Sequence, residues 1–377
     1  MANSMAAKWK IRIPLILLGF SLVLFMLFKL LPEFMDSVYS GFIYRYMAQA
    51  ISAVMSLIPF SFAEMLIYAL VISLLFFTVK ALIRKTWKKY LKNLGITAIY
   101  AASIFLLTCG LNYHRLPLEE HLGYHTEPAP KEELLALATD ITERANLAAS
   151  FTGRGSQGEM IPDYSFEDIK EAVSNAYDSL ARTTGLKVGG YYPSVKPVMA
   201  SRGMSYTFVM GFFFPWTVEA NINNDVPVFW IPALIAHEQA HVRGFMRENE
   251  ANFLTYLLAG YTQNRELKYS CLLHSLNYVL NAVYKAAPSD YEGVIASLSP
   301  RIIYDLDQNR AYWEPFRTSF AEVSQQVNDA YLKANGQKEG VGSYGRVVDL
   351  MIAHHKNYQG SMQQKPGHSV YIGEGTQ

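Results

Sequence analysis

The chain has 377 residues, 51% of them hydrophobic and 17% charged, and its 33 basic and 32 acidic side chains leave a formal net charge of +1. That composition is too apolar for a chain that is soluble throughout and predicts a membrane part joined to a globular one. The absence of a basic surplus argues against a nucleic-acid partner, and two cysteines, Cys109 and Cys271, make no disulfide framework.

Ile13 to Leu31 is an apolar run preceded by Lys8, Lys10 and Arg12, long enough to cross a hydrocarbon core of roughly 30 Å. Lys29-Leu30-Leu31-Pro32-Glu33 follows where a cleaved signal would carry small residues, which favours an uncleaved anchor. Phe62 to Leu82 and Leu94 to Leu111 are two further spans. Between the first two, Tyr39, Phe42, Tyr46, Met47, Ile51 and Val54 recur near helical spacing within 34–59, which predicts an amphipathic helix on the membrane surface. Arg84, Lys85, Lys88, Lys89 and Lys92 crowd the link between the second and third spans. With the N-terminal basic cluster they belong on the cytoplasmic side, and three crossings then place the chain after about Leu111 outside the cytoplasm. Residues 1–115 are thus expected to form a membrane anchor embedded in a lipid bilayer, 116–360 an extracytoplasmic domain, and 361–377 a loose tail.

In the globular part, Lys131 to Ala148 and Phe166 to Thr184 show the i, i+3, i+4 apolar spacing of helices, with a polar loop containing Gly153, Gly155, Gly158 and Pro162 between them. Tyr191 to Pro197 reads as a turn. Val209 to Asn223 is the most strand-like stretch, rich in aromatic and β-branched residues, and Pro215 in its middle pushes it to a sheet edge or a bulge. A strand there suits either a rim that holds an extended peptide by strand addition or a buried hairpin. Glu219, Asn221 and Asn223 share one of its faces and suit substrate contacts or turn capping alike.

His237-Glu238-Gln239-Ala240-His241 follows. Residues four apart on a helix project from one face, so both imidazoles can grip one metal, while Glu238, about 100° around, can reach a water on that metal without ligating it. This is a zinc-hydrolase arrangement, with Glu238 as general base; Mn²⁺ and Co²⁺ suit the same ligands. Phe229 to Ala236 is an apolar lead-in with Pro232 in the first turn, so the helix is expected to be buried. A continuous helix would carry Glu248 roughly 10 Å past His241, so the third ligand requires a break, for which Gly244 is placed. Glu248 and Asn252 share one face of the next helix and Glu250 lies opposite. Glu248 is the preferred third metal ligand with Glu250 as the fallback, and Asn252 is placed to accept the outward N–H of a liganding histidine.

Beyond Asn252, helices are expected at Phe253 to Tyr261, Lys268 to Ala286 and Asp305 to Lys333. His274, among Leu272, Leu273 and Leu276, reads as a packed histidine rather than a ligand. The glycine-containing segment Asn335 to Arg346 permits a tight loop, in which Tyr344 is the candidate catalytic donor to an oxyanion, against a plain helix-entry role. His354 and His355 offer the same chemistry, but neighbours on a helix point about 100° apart, so at most one would serve.

The motif His237-Glu238-x-x-His241 followed by Glu248-x-x-Ala251-Asn252 resembles the glutamate-type zincins, or gluzincins, in which an HExxH helix is followed by an ExxAD-like helix that supplies the third ligand. Here Asn252 stands where that pattern has Asp, and the spacer is short. Three N-terminal spans, Leu111-Asn112-Tyr113-His114-Arg115, Gly211-Phe212-Phe213-Phe214-Pro215, Glu219-Ala220-Asn221, Ala236 to Gly244, Asn335-Gly336-Gln337 and Ser343-Tyr344-Gly345-Arg346 together resemble a bacterial family known as domain of unknown function 3810. The resemblance implies a bacterial membrane metallopeptidase, in a plasma or inner membrane, with no substrate attached to the name. Peptide bonds are the expected substrate because this Zn²⁺ apparatus most often serves them, with cell-envelope peptides a variant for a site facing the envelope. The fold expected is mainly α, with N-terminal transmembrane helices and a helical α+β zincin-like metallopeptidase domain carrying a small sheet. The alternative is a noncatalytic membrane sensor or scaffold with a structural metal, and no residue pattern speaks to oligomeric state.

Overall fold

A run of apolar residues satisfies its own backbone in a helix and leaves its side chains for lipid, and the first third of the chain follows that rule. The computed structural model describes residues 2–126, 130–335 and 345–364. It opens with α1 (Ala2–Leu30), the short α2 (Pro32–Met35), a π-helical stretch Asp36–Tyr44, α3 (Arg45–Met55), α4 (Phe62–Arg84) and α5 (Trp87–Thr108). Arg12–Leu30, α4 and α5 are long and apolar enough to cross a membrane, and few of their residues are buried within the protein. α1 and α4 both pack along α5.

The third of these begins earlier and ends sooner than the expected Leu94 to Leu111. Lysine is a good helix former whose apolar stem tolerates a bilayer boundary. Lys88, Lys89 and Lys92 therefore ride in the first turns of α5, and only Lys85, left-handed at φ 53°, and Thr86 separate it from α4. Gly110–His114 then tightens into a 3₁₀ turn.

The expected surface helix over 34–59 also differs. π-Helical turns are wider than α turns, so apolar positions read at one spacing fall on different faces. Tyr39, Tyr44, Ala48 and Ser52 are buried against the body, while Phe42, Tyr46 and Val54 stand exposed. The stretch is a wedge tied by hydrogen bonds: Tyr39 Oη donates to the Leu107 carbonyl (2.5 Å), Ser40 Oγ to Asn112 Oδ1 (2.9 Å) and Tyr44 Oη to the Val242 carbonyl (3.1 Å), and Asp36 pairs with Arg115 (3.1 Å).

The remaining elements are mainly helical: α6 (Leu118–Leu122), α7 (Lys131–Ser150), α8 (Phe166–Thr184), α9 (Ser201–Ser205), α10 (Ile231–Val242), α11 (Glu248–Leu258), α12 (Arg265–Ala286), α13 (Pro288–Ala296), α14 (Pro300–Trp313), α15 (Ser319–Ala334) and α16 (Gly345–Gln364). Their starts follow local chemistry. Ser165 and Asp168 form a reciprocal capping box at α8, and Pro315, which has no N–H to donate, sits in the 3₁₀ turn that splits the expected Asp305 to Lys333 helix into α14 and α15. α16 runs to Gln364, past the expected start of the tail, and residues 365–377 lie outside the described ones.

Three short strands, β1 (Val195–Pro197), β2 (Gly211–Phe214) and β3 (Glu219–Ile222), form a sheet of order β1-β3-β2, with β1 parallel and β2 antiparallel to β3. Of the two readings of Val209 to Asn223 the stretch takes the hairpin, because Pro215 takes the turn, where its missing N–H costs no ladder bond, and Val218 adopts φ 54°. β2 is an edge strand. β1 occupies residues read as a turn; three residues are too few for alternation to show. The Glu219 carboxylate, fully buried, accepts the N–H groups of Phe62 and Ala63 (3.2 and 2.9 Å) at the N-terminus of α4, where a negative charge is favoured. Ser61 Oγ donates to Asn221 (2.6 Å), and Asn223 donates to Ser205 Oγ and the Val209 carbonyl (3.0 and 3.1 Å). The shared polar face that begins on β3 therefore fastens the sheet to α4 and to neighbouring turns.

Candidate metal centre

α10 is apolar from Pro232 to Ala236, all buried, and packs against β3, α8, α11 and α12. Such a helix holds its side chains in fixed directions. His237 and His241 leave it one turn apart on one face, their rings 4.8 Å apart and nearly perpendicular. The helix stops at Val242, and Gly244 takes φ 88°, a conformation with little cost for glycine alone. The N–H groups of Gly244 and Phe245 return to the carbonyls of His241 and Ala240 (2.9 and 3.1 Å), so the chain folds back at the expected place. Arg243, 2% exposed, locks the corner from behind: it donates to the carbonyls of Val188 and Gln239 (2.7 and 3.1 Å), and its guanidinium faces the rings of Tyr177 and Tyr192 (4.0 and 4.5 Å).

α11 begins at Glu248, and the fold-back brings its carboxylate to both histidines. Nε2 of His237 lies 3.3 Å from Oε2, and Nε2 of His241 lies 3.6 Å from Oε1 and 3.2 Å from Nε2 of His237. Donor atoms of the three residues all lie within 4.8 Å of one another. Tetrahedral ligands about 2.0–2.1 Å from a zinc ion sit about 3.3–3.4 Å apart, so this donor set fits such a metal in both chemistry and spacing. Glu250 is turned away, accepting from Arg247 Nη1 (2.7 Å) and the Leu118 N–H (3.0 Å) in a buried pair. The outward nitrogen of His241 donates to the Phe245 carbonyl (2.8 Å), which orients Nε2 toward the cluster. Asn252 does not fill that expected role; neither its Nδ2 nor its Oδ1 has a hydrogen-bond partner among the described residues, although it lines the same cleft. The corner's own backbone reaches the histidine first.

Electrostatics couple the three groups. Burial presses the His241 imidazole toward its neutral form, but the hydrogen bond and charge of Glu248 outweigh it and carry its pKa to about 9. Burial also opposes ionisation of Glu248, and hydrogen bonds from His237 and His241 reverse the balance and hold its carboxyl well below the usual range. Glu238 differs: burial dominates and raises its pKa, against the pull of the two histidines. One of its oxygens has no hydrogen-bond partner among the described residues, and the carboxylate lies so close to Gly211 that a Cβ there would meet Oε1 at 2.6 Å.

These groups line a cleft of about 720 Å³ between α10, α11 and α12 on one side and β2, Trp216, the end of α5 and α15 on the other. His274 stands in its wall, 6% exposed, its ring 6.3 Å from that of His237, and burial drives its pKa down to about 3, so it is a neutral packed ring outside the donor cluster. Tyr344 and Ser343 lie outside the described residues. His354 is elsewhere, paired with Tyr124 Oη (2.8 Å), and His355 lies near Asp140 (3.9 Å). Sequence reasoning missed Tyr113 and Tyr331, which line the cleft. Burial, with the nearby charge of Glu248 adding to it, keeps both hydroxyls protonated. Tyr113 falls in the segment Leu111 to Arg115 that carries the family resemblance, but nothing in that segment or around Tyr331 points to the cleft, which each reaches through tertiary packing.

No curated protein and no solved structure matches the chain. One family does, over residues 39–352, which take in most of the wedge, α4, α5, the sheet and the whole α10–α11 corner. The chain therefore belongs to the family described as "Protein of unknown function (DUF3810)".

Proposed function

We propose that this protein is a membrane-anchored, zinc-dependent metallopeptidase whose site lies outside the cytoplasm and hydrolyses peptide bonds, those of cell-envelope peptides included. The observation that carries this reading is the spacing of His237, His241 and Glu248, with the unpartnered oxygen of Glu238 buried beside them. The likeness to the glutamate-type zincins and the placement of basic residues on the opposite ends of the three apolar helices support it.

His237, His241 and Glu248 would hold the ion, which when bound supplies Lewis acidity toward a water and the scissile carbonyl. The Phe245 carbonyl fixes the His241 tautomer that presents Nε2. Glu238, whose carboxylate burial makes more basic, takes a proton from the attacking water and delivers it to the leaving nitrogen, so that water is added across the C–N bond to give a carboxylate and an amine. The protonated hydroxyls of Tyr331 and Tyr113 are the donors available to the developing oxyanion. The free edge of β2 offers backbone groups to an extended chain.

Elemental analysis of the purified full-length protein beside His237→Ala, Glu248→Gln and Glu250→Gln tests the site. About one zinc per chain is expected, lost in the first two variants and kept in the third. Glu238→Gln should retain the metal and lose hydrolysis by about 10²–10⁴-fold. Wild type that takes up no zinc on reconstitution would sink the reading.

A further inference from the structure

Trp216 stands at the tip of the β2–β3 hairpin and donates its indole N–H to the Ala101 carbonyl of α5 (3.0 Å). Its ring packs against Phe105 of α5 and Phe214 of β2, with centroids 6.1 and 5.0 Å away. Ala101 lies two turns inside the end of α5, about 10 Å of helix rise before Thr108. A side chain of the globular body that reaches it has descended that far alongside an apolar, outward-facing helix. Trp216 is nonetheless 41% exposed, and an aromatic ring with its one polar atom satisfied suits the boundary of a bilayer.

α15 forms the other lip of the cleft. Ser324, Gln325 and Asn328 face the cavity, while Phe320, Val323, Val327 and Tyr331 fall along one stripe of the helix. Val327 is 64% exposed. The stripe ends beside the C-terminal end of α5, where Tyr331 Oη meets the buried Cys109 Sγ (3.9 Å), so this exposed patch adjoins the end of a helix apolar enough to cross a membrane. A contiguous apolar stripe of that kind calls for a cover, and continuity with α5 identifies it as lipid.

We propose that the cleft opens sideways into the bilayer between Trp216 and the Val327–Tyr331 end of α15, and that its substrates are polypeptides themselves anchored in that membrane. The substrate assignment rests on the peptidase reading above; the lipid contact of the two lips does not. Phe105, Phe212, Phe214 and Trp216 line the route, so a segment leaving the lipid stays against apolar side chains until it meets the edge of β2 and the polar floor.

Full-length protein in phosphatidylcholine vesicles, carrying an environment-sensitive fluorophore at Trp216→Cys, Val327→Cys or the control Leu147→Cys, tests the lips; both native cysteines are buried and Leu147 is 59% exposed on α7. Probes at 216 and 327 should be quenched by nitroxide-bearing lipid and shielded from aqueous iodide several-fold relative to the probe at 147. Equal iodide quenching at all three positions overturns the lipid contact. For the substrate, a fluorogenic peptide pool of randomised sequence is offered free or joined to a transmembrane helix in the same vesicles. The zinc-loaded protein should cleave the anchored pool at least about tenfold faster, and equal rates overturn the assignment. Cleavage of neither pool, with the lips still reporting lipid, takes down the peptidase reading and the substrate assignment with it while the membrane contact stands.

Discussion

At the α10–α11 corner Arg243 and Glu250 are no more than 2% exposed and committed to named partners, whereas at the lips of the cleft Trp216 and Val327 keep 41% and 64% of their surface. The corner gathers one donor atom from each of three residues within 4.8 Å of one another because its backbone turns back at Gly244 and its buried side chains are tied to the surrounding backbone. The lips have no such internal constraint. Their side chains are arranged for whatever medium meets them. Precision in this molecule comes from burial and access from exposure, and the two meet across one cleft.

Substitutions at the corner should therefore cost more than those facing it. Gly244→Ala is the most severe: an L residue at φ 88° is strained, and its Cβ would press on the Tyr44 ring at 3.0 Å. A loss of about 2–3 kcal/mol of stability is expected, read as a fall in thermal midpoint together with weakened zinc retention. A variant that keeps both would show that the corner is less rigid than its contacts imply. Gly211→Ala probes the interface between the two regions. Its Cβ would displace the Glu238 carboxylate and leave the three donors alone, so turnover should fall about tenfold, or roughly 1.4 kcal/mol, with zinc content unchanged. Loss of metal instead would mean that β2 supports the corner directly.

The smallest effect is in pH. In the metal-free protein, His241 has its pKa raised from 6.5 to about 9 by Glu248. A raised pKa contributes stability that is fully present below about 6.5 and is lost as pH rises through about 9. Thermal melts of chelator-treated protein should thus drop across that window, and Glu248→Gln should flatten the drop. Lips probed by the same scan should show no change, since Tyr331 is the one ionisable side chain of their apolar stripe and burial keeps its hydroxyl protonated across that window.

The corner was legible because its determinants are local: the HExxH spacing, Pro232 in the first turn and Gly244 at the break all act within a few residues. Helix phase allowed only one of Glu248 and Glu250 to face the histidines without deciding between them, and what turns Glu250 away, its pairing with Arg247 and the Leu118 N–H, is tertiary. The rest of the cleft was less readable for the same cause. Pro215 signalled an interrupted strand without revealing that β3 would turn its polar face onto α4, and the π-helical stretch moved Tyr39 and Tyr44 off the face on which α-helical spacing places them. Tyr113 and Tyr331 come from segments far apart in sequence and are joined only by the folded chain.

The wedge at Asp36–Tyr44 bears on how the molecule is made. Tyr44 waits for the Val242 carbonyl, and Arg115, paired with Asp36, for that of Gly244 (3.3 Å). Those partners are translated long after the wedge has been delivered to the membrane, and closing contacts so distant in sequence is slow. Synthesis of the apolar helices therefore precedes completion of the donor cluster, which is assembled only after the later half of the chain has folded back onto its beginning. A soluble fragment that starts after Arg115 would leave the carbonyls of Val242 and Gly244 without these donors, so the apolar helices act as a template for the corner as well as its tether.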